Sequence, residues 1–178
     1  MNVLKMALHP TAHRSAVAPR DLEAEVYCRK TREMSSTGDE ILRFPIDGGC
    51  FGCSQSNEAG LRMTFFRCDG ELRSRYKIAE RFHGAPDIAH GGIVATLFDE
   101  VSCAAVYFLR GNAVVTGELS VRYEKPCPVE RTIELRASIV DESHPKYAVV
   151  EASAYEDDTL LARSNGRFFY APLASPRP

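Results

Sequence analysis

The sequence lacks the charge excess and the apolar leader that would place it in several large classes of protein. Its formal net charge is −2 over 178 residues, so it has no basic excess of the kind that general binding to nucleic acids or anionic membranes needs. Residues 1–20 contain no acid and two prolines, and they lack the continuous apolar core of a secretory signal. We expect a disordered tail there, with a transit-like leader as the alternative, and a cytoplasmic protein.

The sequence also lacks the second cysteine pair that would complete a common metal site. Its six cysteines are Cys28, Cys50, Cys53, Cys68, Cys103 and Cys127, and only Cys50 and Cys53 form a CxxC motif. A structural zinc site usually has four ligands, often from two such pairs. Without a signal peptide, we expect reduced thiols. We therefore predict no metal and no cofactor, and interpret residues 50–53 as a turn of small residues, with metal or redox chemistry as the alternative.

Only one long apolar run is present, and it contains two acids. The run extends from Ile93 to Phe108, and Asp99 and Glu100 lie together near its centre. These acids argue against a membrane span and favour a helix buried within a domain. Because burying an unpaired carboxylate costs several kcal/mol (about 2–7 for a neutral polar group and more for a charge), the acids need a specific role.

Six further segments alternate apolar and polar residues with the period of a β-strand. Two precede the helix at 61–66 and 71–78, joined by the hairpin signal Asp69-Gly70. Four follow it, at 115–126, 131–140, 146–156 and 160–170, and the last two are joined by Asp157-Asp158. No βαβ alternation occurs, so the pattern predicts an α+β domain in which an antiparallel sheet packs on one long central helix.

The predicted domain occupies residues 48–173. Residues 1–47 form an N-terminal extension with a short amphipathic helix at 21–34, and 174–178 form a tail. In the strands, we expect Leu61, Met63 and Phe65 to share one packed face, and Leu119, Val121 and Tyr123 to share another. One sheet covers only part of a helix that is apolar nearly all round, which predicts a homodimer or a homotetramer built from two dimers.

The segment "HGGIVATLFDE", residues 90–100, closely resembles the His-Gly-Gly…Asp-Glu signature of acyl-CoA thioesterases related to the phenylacetate-pathway thioesterase. Similar segments flank it: "CFGCSQSNEAGL", "FHGAPDIAHGG", "VRYEKPCPV" and "LLARSNGRFFY". The resemblance extends over about residues 48–171. It implies the hotdog fold and hydrolysis of an acyl-CoA thioester to a free acid and CoA.

The start of the helix offers a site for an oxygen that becomes negative. A helix N-terminus has unpaired amides and a partial positive charge, and Gly91 and Gly92 allow a ligand to approach the backbone. The resemblance implies that the Gly91 amide polarises the thioester carbonyl and that Asp99 is the general base or nucleophile. Asp99 lies eight residues beyond Gly91, or about 12 Å along a helix. Two antiparallel helices across a dimer would place Gly91 of one chain beside Asp99 of the other.

Other residues near this motif are assigned to substrate binding. Glu100 points about 100° away from Asp99 and suits a buried polar network or an interface contact. His90 is expected to hold the loop rather than transfer protons. Related sequences often carry, near the position of His83, a Gln or Asn that helps to hold the carbonyl, and a histidine can also donate such a hydrogen bond. Thr116 corresponds to a Ser or Thr that orients water in some relatives. The predicted substrate-binding set is His83, His90, Gly92, Glu100 and Thr116.

Two other activities remain open on this fold. Hydratases and dehydratases pair a His with an acid placed earlier in the central helix, near Thr96, and that offset disfavours them. A non-catalytic acyl-CoA-binding protein would need neither Gly91 nor Asp99 as reactive groups. Four basic residues on predicted strands could meet the phosphates of CoA: Arg122, Lys125, Arg163 and Arg167.

Overall fold

The computed structural model describes residues 40–44 and 48–171. The predicted helix at 21–34, the leader, the C-terminal tail and Cys28 lie outside the described residues. The strands are β1 (Phe66–Cys68), β2 (Glu71–Lys77), β3 (His83–Ala85), β4 (Ile88–Ala89), β5 (Val114–Tyr123), β6 (Thr132–Asp141), β7 (Tyr147–Glu156) and β8 (Thr159–Tyr170), and the helix α1 (Gly91–Arg110) lies between β4 and β5.

Six of these strands form one antiparallel sheet in the order β1-β2-β6-β7-β8-β5. The helix α1 packs on this sheet and contacts β2, β5, β6, β7 and β8. The predicted α+β class, with one long helix against an antiparallel sheet, is therefore confirmed. The hairpin at Asp69-Gly70 is also confirmed, because both residues have the positive φ of a tight primed turn, 53° and 77°.

The first predicted strand is shorter than its pattern suggested. Leu61, Met63 and Phe65 are buried as expected, but regular β1 begins only at Phe66. Arg62 has a φ of 55°, which interrupts an extended strand. The amides of Leu61 and Met63 instead donate to the carbonyls in the CxxC loop, at 2.7 and 2.9 Å. This segment therefore anchors the CxxC loop to the domain.

A small second sheet was not predicted. Strands β3 and β4 pair antiparallel between His83 and Ala89, a segment that contains none of the six predicted strands. The His90 amide donates to the Phe82 carbonyl over 2.8 Å and continues this pairing up to the start of α1. The hairpin therefore fixes the direction in which the chain enters the helix.

The prediction for β5 is only partly right. Leu119 and Val121 are half-buried, but Tyr123 is 50% exposed and Val115 59% exposed. β5 is an edge strand, paired with β8 on one side, so its residues contact neighbours from one strand only. The described chain thus presents a ten-residue sheet edge with apolar side chains.

The helix α1 provides the centre of the core. Its fully covered residues follow one face and include Val94, Leu97, Phe98 and Val101. Gly111 ends the helix in the left-handed conformation, at a φ of 75°, and its amide donates to the Tyr107 carbonyl. By length and composition this helix could also cross a membrane, a criterion that core helices meet too. Here α1 packs on the sheet as a core helix.

Among the cysteines that the structure describes, Cys68 departs from the expected reduced state. Cys50, Cys53, Cys103 and Cys127 are free thiols, whereas Cys68 is disulfide-bonded. The expectation of reduced thiols is therefore wrong for Cys68. Composition could not decide this point, because a disulfide needs two Cα atoms about 4.4–6.8 Å apart, which only the fold determines.

Ser102 offers a test of the packing around α1. Its side chain is fully buried, and within residues 40–44 and 48–171 its hydroxyl has no hydrogen-bond partner. A buried hydroxyl without a partner costs about 1–3 kcal/mol, so Ser102→Ala should raise the free energy of unfolding by about 1 kcal/mol in urea denaturation. The reverse change on the same helix, Ala105→Ser, should lower it. A lower stability of Ser102→Ala would indicate that the hydroxyl is satisfied.

Candidate active site

The start of α1 has one unpaired amide at its first position. The His90 side chain caps the helix, since its Nδ1 accepts a hydrogen bond from the Gly92 amide over 3.0 Å. The amides of Ile93 and Val94 donate to the His90 carbonyl. The Gly91 amide donates to no acceptor in the described part of the chain. Gly91 therefore remains available to a ligand oxygen, whereas Gly92 is already engaged.

Tyr123 holds the same turn of the helix from the sheet. Its hydroxyl donates to the Gly91 carbonyl over 2.7 Å, and burial raises the pKa of this hydroxyl, which keeps it protonated. A Cβ atom at Gly91 would lie 3.4 Å from the Tyr123 hydroxyl, in ordinary contact. Sequence reasoning assigned Tyr123 to a packed strand face and missed this contact. The alternation of apolar and polar residues in β5 does not predict a hydrogen bond to a residue 32 positions away.

His83 lies in β3 opposite Ala89, beside the start of the helix. Its Nδ1 is 2.7 Å from the Glu80 carbonyl, and a carbonyl can only accept. The hydrogen of a neutral His83 ring is therefore assigned to Nδ1, which leaves Nε2 as an acceptor. A neutral His83 in this tautomer would not donate to a substrate carbonyl, so the predicted role of His83 would need the protonated ring.

Asp99 is half-buried near the middle of α1 and is held by a residue from β5. The Thr116 hydroxyl donates to Asp99 Oδ1, and the Cys103 thiol lies 3.5 Å from the same hydroxyl. Burial raises the pKa of Cys103 to about 12, so it stays a thiol near neutral pH. The structure thus brings together Asp99 and Thr116, two residues that the sequence singled out separately.

Glu100 turns away from Asp99 and meets the CxxC loop. The Cys50 thiol donates to Glu100 Oε1 over 3.1 Å. Burial and the Glu100 carboxylate raise the pKa of the Cys53 thiol far above its usual range. The contact of Glu100 with these two thiols places Glu100 in a different cluster from Asp99.

The predicted site residues therefore fall into three groups within one chain, with Glu100 apart at the CxxC loop. His83, His90, Gly91 and Gly92 lie at the N-terminus of α1. Asp99 lies eight residues further along the helix, more than two turns or about 12 Å away. Thr116 of β5 lies beside Asp99. One thioester carbonyl cannot contact both Gly91 and Asp99 of a single chain.

The arginines considered for CoA phosphates are engaged with carboxylates. Arg122 and Arg163 both pair with Glu124, at 3.0 and 2.9 Å, and Arg167 pairs with Glu118 at 2.6 Å. All three arginines are exposed, so these pairs contribute little stability, about 0–1 kcal/mol each. A phosphate could compete for them, but the geometry does not single out a CoA site.

The sequence and the architecture of this chain are similar to those of known proteins. Residues 87–162 match the family model of the thioesterase superfamily. The chain is 28% identical over 129 residues to acyl-coenzyme A thioesterase THEM5 from Homo sapiens, a match that covers 71% of this chain and 52% of that protein. The chain thus spans about half the length of this relative.

Solved structures share the fold. A thioesterase superfamily protein superposes with a TM-score of 0.61 at 19% identity, over 89% of this chain and 82% of its own. A Streptococcus mutans protein solved with acetyl CoA superposes with a TM-score of 0.53 at 21% identity, over 57% and 82% of the two chains. The described domain has the hotdog fold, and residues 87–162 are similar to the thioesterase superfamily.

Proposed function

We propose that this protein is an acyl-CoA thioesterase that hydrolyses its substrate to a free acid and CoA. The observation that carries the proposal is the unpaired Gly91 amide at the start of a long helix whose middle carries a half-buried, hydrogen-bonded Asp99. The similarity to human THEM5, named as an acyl-coenzyme A thioesterase, supports the substrate class. The S. mutans structure with acetyl CoA supports it as well.

In this proposal, the two groups act on opposite sides of one carbonyl. The Gly91 amide donates to the carbonyl oxygen, which becomes negative as the carbon is attacked. Asp99 accepts a proton from water, whose oxygen forms the new bond to carbon, or it attacks directly to form an anhydride that water then opens. The carbon–sulfur bond breaks, and the CoA thiolate takes a proton. Thr116, which donates to Asp99, orients the carboxylate.

A homodimer, alone or paired into a tetramer, would complete the site. Gly91 and Asp99 of one chain are about 12 Å apart along the helix, too far for one carbonyl. The unpaired edge of β5, with Val115 and Tyr123 exposed, offers a surface on which a second copy could continue the sheet. Two antiparallel helices related by a two-fold axis would then place Gly91 of each chain beside Asp99 of the other chain.

A hydratase or dehydratase on the same fold is the second candidate, and the start of the helix disfavours it. At the place where that class carries its acid, this chain has Thr96, whose hydroxyl donates to the Gly92 carbonyl over 2.9 Å. A threonine engaged in this way has no carboxylate to exchange protons with an enoyl substrate. Asp99 lies almost one helical turn further on.

A panel of acyl-CoA substrates tests the proposal directly. Short, long, branched and aromatic acyl-CoAs are incubated with the full chain, and free thiol, enoyl absorbance and ligand binding are followed together. We expect thiol release from at least one acyl class. Change in enoyl absorbance without thiol release would indicate hydration. Binding of acyl-CoA without either signal, across all acyl classes, would indicate a non-catalytic acyl-CoA-binding protein and would overturn the proposal.

A further inference from the structure

The CxxC loop and the helix α1 bring three metal-ligating side chains to one point. The Sγ atoms of Cys50 and Cys53 and a carboxylate oxygen of Glu100 all lie within 4.8 Å of one another. The sequence contained only one cysteine pair, too few for a common zinc site. The third group comes from Glu100, 50 residues from Cys50 in the chain. We propose that Cys50, Cys53 and Glu100 bind one divalent metal ion of the zinc class.

The loop is built around the Glu100 side chain. A Cβ atom at Gly52, between the two cysteines, would lie 2.0 Å from Glu100 Cγ and 2.3 Å from its Oε1. Any larger residue at position 52 would therefore displace the Glu100 side chain, since real Cβ atoms do not approach so closely. The loop backbone passes directly over the carboxylate, with one cysteine on either side of Gly52. This close approach places the three ligands in a fixed relation.

Hydrogen bonds hold the loop in this position. The Ser54 amide donates to the Cys50 carbonyl over 3.2 Å, which closes a turn around the two cysteines.

Side chains add further hydrogen bonds to this loop. The Asn57 side chain donates to the Gly49 carbonyl, and the Gln55 side chain donates to the Cys53 and Met63 carbonyls. The anchors at Leu61 and Met63 tie the same loop to the core. Little rearrangement of the backbone would be needed for binding.

The donor set indicates the class of ion. Two thiolate sulfurs and one carboxylate oxygen suit Zn²⁺, which binds Cys at about 2.3 Å and Asp or Glu at about 2.0–2.2 Å. Sulfur atoms and an oxygen within 4.8 Å of one another can lie around one such centre after small side-chain rotations. Mg²⁺ and Ca²⁺ prefer all-oxygen ligands and are disfavoured. Binding would release the two thiol protons to solvent, and a water would occupy the fourth position.

The site would connect the loop to the helix turn that carries Asp99. Glu100 is the residue next to Asp99, so an ion bound at Glu100 and the two cysteines would fix this turn against residues 50–53. The ion would lie on the Glu100 side of the helix and take no part in the proposed attack on the thioester. The metal proposal therefore does not depend on thioesterase activity.

Metal titration of the full chain tests this inference. After chelator treatment, the protein is titrated with Zn²⁺ in competition with a chromophoric chelator, and with Co²⁺ as a spectroscopic substitute, anaerobically and without reductant. We expect one equivalent of tight binding and a thiolate-to-cobalt charge-transfer band in the near ultraviolet. Cys50→Ser and Glu100→Gln should each lower zinc affinity by at least about 100-fold.

Cys127→Ser is the matched control, because Cys127 is a free, buried cysteine outside the cluster. It should bind zinc with the affinity of the unaltered chain. Cys50 is exposed, so Cys50→Ser spares the core and keeps the test valid if other variants misfold. Equal zinc affinity in Cys50→Ser and the unaltered chain would overturn the proposal. The proposal would also be overturned if mass spectrometry found a Cys50–Cys53 disulfide, and no bound zinc, at the loop.

Discussion

Replacing Asp99 by asparagine is expected to abolish most thiol release while leaving the fold intact. The amide has nearly the shape of the carboxylate, and its oxygen can still accept the hydrogen bond from Thr116. It can neither accept a proton from water nor attack the thioester effectively. Because a general base contributes about 10²–10⁴-fold, kcat should fall by that factor. The measurement is thiol release at saturating acyl-CoA, with circular dichroism to check the fold.

Asp158→Asn is the control for this experiment. Asp158 lies in the exposed turn between β7 and β8, so the same chemical change there should leave kcat unchanged. Thr116→Val removes the hydroxyl that donates to Asp99 and should reduce turnover by less than Asp99→Asn. Near-normal turnover in Asp99→Asn, with Asp158→Asn also normal, would refute the catalytic assignment of Asp99.

Deleting the Gly91 amide alone should produce a comparable loss. Gly91→Pro removes this donor and adds a side-chain ring, and the helix should tolerate it, because proline is favoured at the first helical position. His90 before it has a φ of −61° and a ψ of 133°, the extended backbone that a residue preceding proline prefers. Removing one donor to a developing oxyanion typically costs about 10²–10³-fold in kcat. We expect a loss of this size in the thiol-release assay.

Gly91→Ala separates the amide from the size of the side chain. Alanine keeps the N–H, and its Cβ would lie 3.4 Å from the Tyr123 hydroxyl, an ordinary contact. We expect Gly91→Ala to retain most activity. If Gly91→Ala and Gly91→Pro were equally impaired, the effect would be steric, and the assignment of the amide would fail.

Mixing the two inactive variants tests whether the site is shared. In a two-fold dimer, a chain with Asp99→Asn paired with a chain with Gly91→Pro would form one intact site and one doubly altered site. After unfolding and refolding together at equal concentrations, random pairing should restore about a quarter of the original activity. No recovery, with mixed dimers demonstrated by mass spectrometry, would show that Gly91 and Asp99 do not act together across the interface.

The sequence by itself predicted the fold class because that information is local. Period-two alternation predicted the long strands β6, β7 and β8, and the Asp69-Gly70 pair predicted a primed turn that both residues adopt. The apolar run predicted α1. The pattern was less successful at 61–65, where Arg62 interrupts the strand, and at the short β3–β4 hairpin. Both segments are held by contacts with the irregular loop or the helix start, which alternation does not encode.

The sequence also singled out His90, Gly91 and Asp99 as candidate site residues, because they lie together in one short motif whose family resemblance is specific. Only the tertiary structure decided what these residues contact. It paired Thr116 with Asp99, Tyr123 with Gly91 and Cys50 with Glu100, partners that are 17, 32 and 50 residues apart. Periodicity reports which face of an element is buried, but not which distant side chain lies opposite. That choice follows from the packing of α1 on the sheet and from the anchoring of the CxxC loop.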